Sequence, residues 1–167
     1  MKTQKLLLIA AIVCLLVGVS GGAVMAELNG CGDGVLKDET FNGGLRITGD
    51  EPCVIIGSTI QGDIRAINLP YVLLLNNKVG GIIRVDGNAG IGVANVIANT
   101  VLGDKIVVRD NEVAYVLEND AVTGDIRVLF NIKAFVQKNI AAQDIRCREN
   151  TDLSAFLNLA GGNLNCN

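Results

Sequence analysis

A glycine step followed by alternating apolar residues recurs seven times in this chain, and its spacing restricts the fold more than any other feature. The step falls at Gly43, Gly62, Gly81, Gly103, Gly124, Gln143 and Gly162, at intervals of 19, 19, 22, 21, 19 and 19. Two and four positions later the residues are apolar or cysteine: Leu45/Ile47, Ile64/Ala66, Ile83/Val85, Ile126/Val128, Ile145/Cys147 and Leu164/Cys166. The Gly103 unit is out of step, and Lys105 reads as a one-residue insertion that shifts Ile106, Val108 and Asn111. Amide or acid residues recur four positions before the step (Asn77, Asn99, Asp120, Asn139, Asn158) and seven after it (Asp50, Asn88, Asp110, Asn131, Asn150).

Each unit carries a second patch rich in Val, Ile or Leu, such as Val72–Leu75, Val93–Ile97, Val113–Leu117, Ala134–Val136 and Ala155–Leu157. A third, shorter element precedes some of the steps. Such patches fit short strands, with Gly, Asn and Asp at the corners between them. No stretch sustains a helical apolar stripe. A unit of this length cannot bury its own apolar face, whereas stacked units can. The predicted fold is therefore all-β: a single-stranded parallel β-helix, or solenoid, of 19–22 residues per coil. Uneven coils longer than a strict hexapeptide repeat favour right-handed winding.

Corner asparagines bond the backbone at tight turns and tolerate left-handed geometry. In stacked coils their amides can also bond one another. Phe135 and Phe156 fall in corresponding patches and are expected in the core.

The repeat also orders the cysteines. Cys31, Cys53, Cys147 and Cys166 form an even set, compatible with two disulfides in an exported chain. Cys147 and Cys166 share a repeat position one coil apart, and Cys31 and Cys53 are one long coil apart. Strands about 4.8 Å apart lie within reach of a disulfide. One bridge at each end of the stack is the expected pairing. No C-x-x-C pair or histidine supports a metal site instead.

Strand alternation predicts that the residues one and three after the step face outward. These are Asp63, Asp104, Asp125 and Asp144, and Arg46, Arg65, Arg84, Arg127 and Arg146. Such a face could hold mutually neutralising charges, or it could grip a glycan or protein, since the planar guanidinium suits carboxylates. Paired carboxylates can cleave glycosidic bonds, but these acids follow the repeat, and no insertion is long enough to wall a groove. Histidine is absent, which excludes Ser-His-Asp and Cys-His chemistry. Scattered threonines do not make an ice-binding ladder, and no phosphate-loop motif is present. The sequence nominates no catalytic, cofactor-binding or metal-binding residue.

The first 26 residues have the pattern of a signal peptide: Lys2 and Lys5, an apolar run from Leu6 to Val19, and Val24-Met25-Ala26 before Glu27. An uncleaved membrane anchor is the alternative, since about 20 apolar residues span a bilayer. A lipoprotein reading through Cys14 is weak, because Val13 is bulky and the apolar run continues past it. The domain is then 27–167, with 12 basic and 17 acidic side chains and a formal charge of −5. That balance disfavours nucleic acid.

The run N-G-G-L-R-I-T-G-D-E-P-C-V-I-I-G-S-T-I-Q-G-D-I-R and the tail D-I-R-C-R-E-N…G-G-N-L-N-C-N resemble small exported bacterial Gly/Asn-rich repeat proteins of unassigned function. On that resemblance Cys53, Cys147 and Cys166 match the family's cysteines and Asn150 its corner asparagine. More distantly, the coil architecture is similar to pectate-lyase-like right-handed β-helices, whose catalytic cluster has no counterpart in this sequence. The resulting expectation is a non-enzymatic structural or adhesive protein, secreted or at the cell surface. The alternative is a carbohydrate-binding protein or minimal polysaccharide-active enzyme. Expected partners are a cell-surface glycan or protein, or further copies stacked end to end. A membrane enters only through an uncleaved N-terminal segment.

Overall fold

A computed structural model describes residues 24–32, 34–87 and 91–166. Most of the expected signal segment lies outside these residues, as does the expected corner residue Asn88. The described chain winds into a parallel β-solenoid of three sheets. The first sheet stacks Ala26–Asn29, Leu45–Thr48, Ile64–Ile67, Ile83–Asp86, Lys105–Arg109, Asp125–Leu129, Ile145–Arg148 and Leu164–Asn165 in that order. The second stacks Val35–Lys37, Cys53–Ile56, Tyr71–Leu75, Val93–Ile97, Val113–Leu117, Lys133–Gln137 and Asp152–Phe156. Two-residue strands form the third, from Thr40–Phe41 to Leu159–Ala160. The short element foreseen before some steps is thus a regular third side of every coil.

Register follows the glycine frame. Leu45, Ile64, Ile83, Ile106, Ile126, Ile145 and Leu164 pair in one inward column of the first sheet. Ile106 stands opposite Ile83, as the Lys105 insertion requires. Leu45 and the five isoleucines are fully buried. Burying a side chain of this size contributes about 1.5–3 kcal/mol, offset by chain entropy. On the other two sides the core residues shrink along the stack. Cys53, Ile55 and Ile60 fill one coil, while Ala134, Val136 and Ala141 fill a later one.

Corners follow one rule at two of the three bends. In the central coils a residue with positive φ is followed by a buried or half-buried asparagine whose side chain serves the neighbouring coil. Asn76, Ala98, Glu118 and Lys138, with φ of 53–57°, precede Asn77, Asn99, Asn119 and Asn139. Those four asparagines are at most 2% exposed. At the other bend Asp110, Phe130 and Glu149 precede Asn111, Asn131 and Asn150.

Three expectations are corrected. Asn119, not Asp120, occupies the buried corner, because the bend before Ile126 holds one residue more than the bend before Ile145. Asp120 begins a third-sheet strand, opposite Thr100. Phe135 and Phe156 lie outside the core: Phe135 alternates outward between buried Ala134 and Val136, and Phe156 is 47% exposed. Hydrophobicity suggested the core, but pleat parity decides the side. Leu157 ends no strand; it is a positive-φ corner residue.

Candidate ligand face on the first sheet

The five arginines do stack. Arg46 stands opposite Arg65, Arg65 opposite Arg84, and Arg127 opposite Arg146. The column is broken at Val107, which sits between Arg84 and Arg127.

The aspartates behave differently from a solvated column. Asp63, Asp125 and Asp144 turn one carboxylate oxygen to the backbone of the following coil and the other to the arginine two residues ahead. Asp63 Oδ1 accepts from the Ile82 N–H at 3.0 Å, and its Oδ2 accepts from Arg65 Nη2 at 2.9 Å. Asp125 Oδ1 accepts from the Asp144 N–H at 3.1 Å, and its Oδ2 from Arg127 Nε at 3.0 Å. Asp144 repeats this with the Asn163 N–H at 2.6 Å and with Arg146 Nε at 3.1 Å. The G-D-I-R step is therefore a corner clamp: the aspartate stitches one coil to the next, and the arginine neutralises it.

Burial accompanies that role. Asp125 is only 7% exposed. Desolvation acts to raise its pKa, but the hydrogen bonds from Arg127 and the Asp144 N–H outweigh it, so the carboxyl titrates below its ordinary value. The Asn163 N–H first, and Arg146 second, hold Asp144 below its ordinary value too. Arg146 is raised in turn by its bond to Asp144.

Asp104 is not part of this arrangement. Lys105 takes the strand position opposite Asp125, and Asp104 sits on the bend before it. It bridges Lys105 at 2.7 Å with its side chain 64% exposed. The extra residue in that bend moves the acid out of the column.

A second cluster lies one step along the strands. Asp86 accepts from Arg84 Nε and from Arg109 Nε, each at 2.7 Å, joining two coils. That bond to Asp86 raises the Arg109 pKa against the opposing effect of burial. The repeat frame, aligned on the glycine step, did not single out Asp86 or Arg109. Their position three residues beyond the core isoleucine, on the outward parity, was the available signal.

A shallow depression of about 240 Å³ is lined by Arg127, Leu129, Phe130, Arg146, Arg148 and Glu149. Arg127 and Arg146 are already bound to Asp125 and Asp144. Arg148 is exposed and has no carboxylate partner among the described residues. Counting Asp125, Asp144 and Glu149 against the three arginines, the local formal charge is zero. Among the described residues, no three His, Cys, Asp or Glu side chains converge as a metal site.

Disulfides join Cys31 to Cys53 and Cys147 to Cys166, with Cα separations of 4.9 and 4.5 Å. Each ties an outer coil to its neighbour. Two such bonds fit an oxidising, extracytoplasmic environment.

Comparison with family models, with curated proteins and with solved structures found no match. The likeness carried by this chain is one of architecture: a parallel β-solenoid consistent with pectate-lyase-like β-helices, with no family identity attached.

Proposed function

We propose that this protein is a non-enzymatic, exported structural or adhesive element of the cell surface. The observation that carries the reading is the commitment of the carboxylates. Asp63, Asp125 and Asp144, the acids first in line for chemistry, each spend one oxygen on a neighbouring coil's N–H and the other on an arginine. A general acid or nucleophile needs an oxygen turned toward substrate. A stitched corner suits a rod that must resist fraying. Further support comes from the disulfide at either side of the stack. Leu164, at the end of the inward column of the first sheet, is 52% exposed in the last described coil, which favours end-to-end contact between copies. We also infer right-handed winding, the sense that parallel crossovers favour; a crystal structure reads it directly.

The test is to incubate the purified 27–167 domain with a panel of acidic and neutral polysaccharides, and to label intact cells with an antibody against it. Surface labelling without release of new chain ends is expected. Cleavage that Asp125→Asn or Asp144→Asn abolishes, with the fold retained, would overturn the reading.

A carbohydrate-binding role is the second reading, and the observation favouring it is Arg148. Among the described residues it makes no ion pair, and it lies beside Arg127 and Arg146, next to Phe130 at 45% exposure. Binding on a glycan array that Arg148→Ala reduces about tenfold, a loss of about 1.4 kcal/mol, is the expected result under that reading. An array with no signal counts against it.

A further inference from the structure

The outward face of the second sheet has a character opposite to that of the first. Where the first carries arginines and aspartates, the middle strands of the second carry Leu73, Leu75, Ile97, Tyr115 and Leu117 on the outside. No charged residue lies at an outward position from Cys53–Ile56 to Val113–Leu117. Charge returns only at the two ends, with Lys37 in the first strand, Lys133 in the sixth and Asp152 in the seventh. An apolar centre with a polar rim is the anatomy of a protein interface. Contiguous apolar patches on a protein surface often mark an interaction site.

We propose that this face is the interface of a two-fold dimer, with the second sheets of two copies packed face to face. Three observations point to a second copy rather than to another occupant. The first is size. Seven strands about 4.8 Å apart and at most about five residues long give a face of at most about 34 by 17 Å, so a facing pair covers up to about 1,150 Å². That lies just below the range of standard specific complexes, about 1,200–2,000 Å², in the class of weak, transient interfaces. Sheets pack on one another in this way in sandwich folds, about 10 Å apart.

The second is the place of Asn95. It is the one amide among the outward residues of the three central strands, and it sits in the fourth of seven strands, in the middle outward column. A two-fold axis lying in the interface plane, whether along the rod or along the strands, brings this central residue onto its own mate. Its Nδ2 makes a long 3.4 Å contact to the Val72 carbonyl, and among the described residues no hydrogen bond reaches its Oδ1. Two amides related by a two-fold can each donate to the other, which removes the desolvation penalty of a lone buried amide.

The third disfavours a sugar platform. Tyr115 and Phe135 stack on each other with centroids 4.9 Å apart and planes 7° apart. Each ring gives one face to the other, which leaves less flat aromatic surface for a pyranose.

The test is sedimentation velocity of the 27–167 domain, with its disulfides intact, over about a hundredfold range of concentration around the micromolar value suited to a small interface. A monomer–dimer equilibrium is expected. Asn95→Asp places two carboxylates together at the centre and should raise the dissociation constant at least tenfold; Leu73→Lys should do the same. Lys78→Ala, exposed on the third sheet, should leave it unchanged. Should either variant misfold, amide exchange of the native protein at low and high concentration decides, with extra protection expected in the second sheet. A protein that stays monomeric throughout, or a dimer indifferent to both charge insertions, overturns the proposal. Capture of a different protein on this face by a domain that remains monomeric overturns it as well.

Discussion

Asn119 Oδ1 accepts two hydrogen bonds from Asn99, from its backbone N–H at 3.0 Å and from its Nδ2 at 3.1 Å. The pattern repeats up the stack. Asn77 donates in the same way to Asn99, Asn119 to Asn139, and Asn139 to Asn158. Each Nδ2 also reaches a carbonyl of the coil behind it, as Asn119 does at Val96. Every link satisfies a corner N–H that no strand partner can reach.

Asn119→Ala removes the acceptor for Asn99 and strands two buried donors. Unpaired buried groups cost about 1–3 kcal/mol each, so a loss of about 2–6 kcal/mol is expected in urea unfolding. A change below about 0.5 kcal/mol, the scale of an ordinary surface substitution, would show the ladder to be incidental.

Acid should weaken the stack through Asp125 and Asp144. Both carboxyls titrate lower in the folded chain than their ordinary value. Their contribution is therefore complete above the unfolded value of about 3.9 and is lost as pH falls through the folded values. Stability from this source should be flat from neutral pH down to about pH 5 and decline below it. Denaturant titrations at stepped pH check this, and the Asp125→Asn/Asp144→Asn double variant should show a shallower decline.

Gly124 has no room for a side chain. A Cβ there would stand 1.1 Å from the Asp104 carbonyl oxygen of the preceding coil, so the backbone itself would have to move. Gly124→Ala should cost more than the about 1–3 kcal/mol of ordinary overpacking. A thermal melt that leaves the transition unchanged would contradict the close approach of these coils.

Replacing Cys147 and Cys166 by alanine should fray the last coil first. The bridge closes a separation of 19 residues, a loop for which chain entropy predicts about 3 kcal/mol. Hydrogen exchange should lose protection across Asp152–Phe156 and Leu164–Asn165 while Val93–Ile97 keeps it. Non-reducing peptide mapping of the unaltered chain should recover the Cys31–Cys53 and Cys147–Cys166 pairs alone.

Most of the architecture was legible because a solenoid turns sequence distance into spatial contact. A residue 19 to 23 positions on is the neighbour in the next coil, so the glycine frame placed Ile64 beside Ile83 and Cys147 beside Cys166. Alternation within each strand then assigned the isoleucines to the core and the arginines to the outside. The all-β class, the parallel stacking and the position of the arginine column need nothing beyond period and parity.

Parity failed where the chain leaves the strand. Asp63, Asp125 and Asp144 sit at or just before a strand's first residue, where the backbone is still turning and an unpaired N–H of the next coil lies within reach. Only the stacked coils supply that donor, so only tertiary structure decides that the carboxylates face a backbone and not a ligand. The same holds for Asp104 and Asp120. A bend can absorb one extra residue without disturbing the strands beside it, which moved both acids out of the columns in which even counting placed them. Phe135 makes the converse point. Its outward side was fixed by parity once strand boundaries were known, against what its hydrophobicity suggested. Period and pattern determined the rod; the packing of coil on coil decided what its polar and apolar faces are free to do.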